Sequence, residues 1–147
     1  MIQRISISID EIQEKVEKQC AQDFRGLRIL KPEIDTAFED FVLTADDSEA
    51  VAEEIKNSTV VIYQSLRDYI CQWYIDSEVC FYINTNADYT TLEQLLKKIL
   101  ISSVLAWWYN VRVADLSASY LNESAAAISQ LVSTVTPKFA TRKLRMF

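Results

Sequence analysis

The chain has 147 residues, half of them hydrophobic and 24% charged, which is one domain's length with enough apolar material for a core. It holds one Gly, two Pro and no His, where roughly ten Gly and seven Pro are usual, so turn-dense sandwiches and barrels are disfavoured. The missing His removes Ser-His-Asp and Cys-His nucleophile systems and histidine-ligated metals, and the single Gly removes phosphate-cradling loops. No catalytic residue, metal ligand or cofactor is assigned, and the chain is expected not to be an enzyme.

The composition predicts an all-α fold: a single-domain bundle of about five helices over residues 1–136, with an extended N-terminal lead-in, and a basic arm over 137–147. The lead-in carries alternating Ile5, Ile7 and Ile9. Ser8-x-x-Glu11 makes a possible capping box. Ile9, Ile12, Val16 and Cys20 then share one helix face through about Phe24. Gly26 suits the stop after that helix, and 27–30 reads as an extended bridge.

Pro32 suits the first turn of a second helix over about 33–43. A polar turn at 44–48 precedes a long helix from about Glu49 to Tyr74. Its stripe is Val51, Ile55, Ile62, Leu66, Tyr69 and Trp73. The helical period is lost over 76–88, where Glu78 to Ile83 is either extended or a short helical turn. Thr90-x-x-Glu93 is a second possible capping box. The helix that follows, Thr91 to about Leu116, is apolar nearly all round and marks the centre of the bundle. A bend of small residues occupies 117–122, and a last helix runs from Glu123 to Val135. Near-complete burial is expected for Ile62, Leu66, Ile99 and Ala106.

The cysteines Cys20, Cys71 and Cys80 lack a C-x-x-C spacing, and free thiols in a reducing compartment are expected. Cys20 and Cys71 read as small core residues, while spacing alone leaves a Cys71–Cys80 pairing open. The longest uncharged run, 99–111, is too short for a bilayer span of about 20 residues, so no membrane partner is expected.

Charge is segregated. Glu33 to Glu54 holds nine acids and no base, whereas 137–147 holds Lys138, Arg142, Lys143 and Arg145 and no acid. Glu49 and Glu53 share a helix face and read as a solvated or partner-facing surface, with a hard-cation site as the sharper alternative. The acidic body makes nucleic acid an unlikely partner beyond contact with passing DNA. Phe139, Leu144 and Phe147 give the arm apolar anchors. It reads as a disordered terminus or as a segment docking on another chain, with nucleic-acid contact as the lesser third reading. Trp107 and Trp108 project about 100° apart on a helix, so one of them is expected at a second contact, in the core or on another subunit.

The segment Ile99-Leu-Ile-Ser-Ser-Val-Leu-Ala-Trp-Trp-Tyr-Asn-Val-Arg112 resembles the penultimate helix of small head–tail connector (adaptor) proteins of tailed bacteriophages. The matching residues are Trp108-Tyr109, Arg112, Ser117-Ala-Ser119 and the final helix; Ser65 to Ile70 is similar to an earlier core helix of that family. The resemblance implies an all-helical virion protein, present in the host cytoplasm during assembly. It implies a homo-oligomeric ring, dodecameric, contacting the portal and neighbouring tail or connector proteins. The contacts of such a ring are heterologous, and the acidic segment and basic arm are complementary in that sense. The alternative is a small cytosolic helical regulator of a mobile element that binds protein through its aromatic surface. A third and weaker class is an enzyme using only carboxylates and Tyr.

Overall fold

A computed structural model describes residues 1–30 and 42–137. The fold is mixed rather than all-α. Among the described residues, four α-helices and a three-stranded antiparallel sheet replace the expected bundle of about five helices. The elements run β1 (Ile2–Ser8), α1 (Ile9–Leu30), a 3-10 turn (Ala45–Asp47), α2 (Ser48–Ser65), β2 (Ile70–Ile75), β3 (Glu78–Asn84), α3 (Tyr89–Tyr109) and α4 (Ala114–Val135).

The sheet order is β1-β3-β2, so the last strand in sequence lies in the middle. The lead-in becomes β1 because its alternation puts Ile5 and Ile7 on one face, where both are buried against the helices. The expected long helix stops early. Leu66 ends α2, its N–H reaching Ile62 O while its own carbonyl accepts from Tyr69 and Ile70. The next residues, Ile-Cys-Gln-Trp-Tyr-Ile, are β-branched and aromatic and form β2. A tight turn at Asp76 and Ser77 returns the chain into β3, whose Val79, Cys80, Phe81 and Ile83 are all buried. A central strand covered on both faces reads as a nearly continuous apolar run, which hides its period.

The central helix is α3. It packs against α1, α2, α4 and β1. Asp88 caps it, accepting from Thr91 N at 3.1 Å, so the cap lies two residues ahead of the expected Thr90. At α1, the Glu11 amide does donate to Ser8 Oγ at 3.3 Å. The Glu11 carboxylate, however, reaches Lys97 at 3.1 Å and Lys15 at 3.3 Å instead of closing a capping box. Lys97 also meets Glu93 at 3.3 Å, which ties α1 to the start of α3. Glu11 is held below the usual carboxylate range chiefly by its hydrogen bond from Lys97.

Other boundaries move for local reasons. Gly26 does not stop α1: it has no positive φ, and the helix continues to Leu30. The corner after α3 falls at 110–113, ahead of the expected bend. Residues 117–122 lie inside α4, where Ser117 alone of the small ones bonds to α3, donating to Ala106 O, while Ala118 and Ser119 are exposed. The expected helix over 33–43 lies mostly outside the described residues. Ile62, Leu66, Ile99 and Ala106 are all buried, as expected. All three cysteines are free. Cys20 and Cys80 are buried, but Cys71 is exposed, because it stands on an edge strand rather than in a helical core.

Candidate functional site

The adjacent tryptophans diverge at the end of α3. Trp108 turns inward and is 5% exposed; Trp107 turns outward and is 37% exposed. Their ring centroids stay 6.0 Å apart. The two side chains serve different ends of the structure.

Trp108 belongs to a corner lock. Arg112 lies with its guanidinium 3.6 Å from the Trp108 ring centroid and donates from Nη1 to Trp108 O at 2.7 Å. Tyr109 is fully buried, and its hydroxyl donates to Asp23 Oδ2 at 2.9 Å. Tyr120, on α4, donates to the same oxygen at 2.6 Å. The two phenol rings stack at 5.9 Å. Burial pushes both phenols above the usual tyrosine range, and the Asp23 carboxylate reinforces the shift. Cys20 lies in the same cluster, with its thiol pushed up by burial, so it is a poor nucleophile. Trp108-Tyr109 and Arg112, the residues that carry the connector resemblance, therefore act here as a structural corner binding α1, α3 and α4.

Trp107 stands instead on the rim of a groove of about 400 Å³ that runs over α3 between α2 and α4. Val61 of α2 and Leu121 of α4 share that rim, and both are exposed. The floor is built from small residues, including Ser103, Ala106 and Ser124. Three of its hydroxyls are paired internally: Ser103 Oγ and Ser124 Oγ share a hydrogen bond of 2.8 Å, and Ser117 Oγ donates to Ala106 O at 2.7 Å. Hydroxyls paired within the floor ask nothing of an occupant, so the groove presents mainly apolar surface, with Asn57 and Asn110 among its lining. Glu54 marks its α2 side. Burial raises this carboxyl above its ordinary range, against the opposing hydrogen bond from Asn57.

Glu49 and Glu53 are exposed on α2. Among the described residues, no group of three or more Cys, Asp or Glu is placed to hold a metal ion. Lys138, Phe139, Arg142, Lys143, Leu144, Arg145 and Phe147 lie outside the described residues. No described helix is long and apolar enough to cross a membrane.

Asp23, Tyr120 and Leu121 carry no site signal in the sequence. Asp23 and Tyr120 are single polar residues on helical faces, and only the tertiary fold brings them together. The small residues at 103, 106, 117 and 124 were the legible signal for the groove, since they leave space beside a large exposed ring. No protein-family model, curated protein or solved structure matches this chain.

Proposed function

We propose that this chain is a structural assembly protein that works by packing on other protein chains through the Trp107 groove. Trp107 carries this reading. A large ring left partly exposed beside Val61 and Leu121, over a floor of small and internally paired residues, suits the apolar face of a helix from another subunit. Tryptophan is among the side chains enriched at the residues that dominate protein interfaces.

The narrower form of the proposal is the head–tail connector: a homo-oligomeric ring in a virion, in contact with a portal and with the next tail or connector protein. The resemblance over 99–112 supports it; the three-stranded sheet departs from the all-helical protomer that the resemblance implies, and Ser65 to Ile70 runs from the end of α2 through a turn into β2. The basic arm of 137–147 is the proposed second contact, directed at carboxylates such as Glu49 and Glu53 of a neighbour. Rim ion pairs contribute only about 0–1 kcal/mol each, so Phe139, Leu144 and Phe147 would supply most of the arm's attachment.

Electron micrographs and sedimentation of the full chain, alone and mixed with the portal protein from its own genome, test this function. Ring-sized particles are expected in at least one condition, and deletion of 137–147 should abolish or weaken them. A protein that stays at one or two copies in both conditions would overturn the connector role and favour the small regulator.

A further inference from the structure

We infer that in the free protein the Trp107 groove is covered by residues 138–147 of the same chain, which leave it when another subunit docks. The inference rests on the reading of the groove as an interface, and it names what covers that interface before assembly.

An open groove is a hazard to a free chain. Val61, Trp107 and Leu121 stand 47%, 37% and 62% exposed around it. Large apolar side chains this close together invite association with any apolar partner. A cover carried by the chain itself removes that hazard without a second molecule.

Charge selects the cover. The groove lies between α2 and α4, which carry Glu49, Glu53, Glu54, Asp115 and Glu123 against a single base, Lys56. Among the described lining residues Glu54 is the one charged side chain. Its hydrogen bond from Asn57 is long, at 3.4 Å, and no described cation pairs with it. Burial raises its carboxyl, so the groove holds an acid that a cation would stabilise in its charged form.

The body of a second copy answers this poorly. The net charge of −6 divides into −10 over 1–136 and +4 over 137–147. Body against body opposes like charge to like. The segment 138–147 brings Lys138, Arg142, Lys143 and Arg145 with no acid, and it brings Phe139, Leu144, Met146 and Phe147 for the apolar surface.

Reach favours the chain's own segment over a neighbour's. The contacts Ser103–Ser124 and Ser117–Ala106 make α3 and α4 antiparallel. The groove follows α4 from Ser117 to Ile128, and α4 ends at Val135, about two turns further on. From Val135 back to Leu121 is about 21 Å at about 1.5 Å per residue. The ten residues after Pro137 span at most about 33–36 Å. That is long enough to double back along α4 and bring Leu144, Met146 and Phe147 to Leu121 and Trp107. A short covalent link also gives an effective concentration of about millimolar, so a contact too weak to join two chains closes within one.

Zero-length carbodiimide coupling of the full chain is the test, because it joins a lysine amine to a carboxylate only where the two touch. Peptide mapping of the monomer should show Lys138 or Lys143 joined to Glu53 or Glu54, in a yield unchanged by dilution. Leu144→Ser combined with Phe147→Ser keeps every charge and should lose the link, with circular dichroism checking the fold. A link found only between two chains, no link from the segment to α2 or α4, or a link that survives the double variant would overturn the inference. The interface reading is scored apart, by particles formed with the proposed portal partner. A link in a protein whose Trp107→Asp variant assembles normally upholds the cover and defeats the interface. No link, with Trp107→Asp failing to assemble, upholds the interface and defeats the cover.

Discussion

The hydroxyl of Tyr109 and the carboxylate of Asp23 lie 86 residues apart in sequence and meet at 2.9 Å. Tyr120 adds a second hydroxyl to the same oxygen. One carboxylate thus fastens α1 to both α3 and α4. A charged acceptor makes each such bond stronger than a neutral one.

Replacing Asp23 by Ala should therefore destabilise the protein by about 2–3 kcal/mol, since it strands the buried Tyr109 hydroxyl. A fall of roughly 5–10 °C in thermal midpoint is expected for a chain of this size. Asp23→Asn keeps an acceptor and should cost less. Denaturant titration of the two variants measures the difference; equal stability of Asp23→Ala and the native protein would show that the contact carries no weight.

The same pair sets the behaviour at high pH. Burial raises both phenols in the folded state, so the folded protein holds their protons more tightly than the unfolded chain does. Stability from this source is complete below the ordinary tyrosine value of about 10 and is lost as pH rises above it. Ultraviolet titration should show Tyr109 and Tyr120 ionising only together with unfolding. Tyr120→Phe should remove part of the alkaline sensitivity.

Glu54 works in the opposite direction of cost. Its carboxyl is raised by burial, so the charged form is penalised in the fold. The penalty is absent below the unfolded value and grows as pH rises through the raised folded value. Glu54→Gln should leave stability at neutral pH equal or slightly higher and flatten its dependence on mildly acidic pH. Thermal melts across that range check it, and a loss of stability at neutral pH would contradict it.

Thiol reactivity maps the corrected fold. Cys71 is exposed, and Cys20 and Cys80 are buried. Under native conditions an alkylating reagent should modify Cys71 first and leave the other two until the protein unfolds. Denatured without reductant, the chain should accept three modifications. Rapid native labelling of Cys80 would show that the outer face of the sheet is not covered as described.

What the sequence made legible follows from how each element is covered. α3 was readable because a helix apolar all round has few alternatives, and β1 was readable as extended because only one of its faces is buried. The hairpin was not. Leu66, Tyr69 and Trp73 keep a three-then-four spacing that mimics a helix, yet Leu66 ends α2, Tyr69 lies in the turn after it, and Trp73 points inward from β2. The turn at Asp76 and Ser77 uses no Gly or Asn, so the shortage of turn residues hid it. At the site, the divergence of Trp107 from Trp108 followed from helix geometry alone. Which of them faced outward depended on Asp23 and Arg112, whose positions only the assembled fold defines.

The central claim is that Trp107 serves contact between chains and Trp108 serves the fold. The most direct measurement compares Trp107→Asp with Trp108→Ala by sedimentation, with the proposed portal partner present, alongside thermal unfolding. Trp107→Asp should keep its thermal midpoint within a few degrees of the native protein and fail to form the large particle, whereas Trp108→Ala should lose about 3–5 kcal/mol of stability. A Trp107→Asp protein that assembles as well as the native chain would contradict the account.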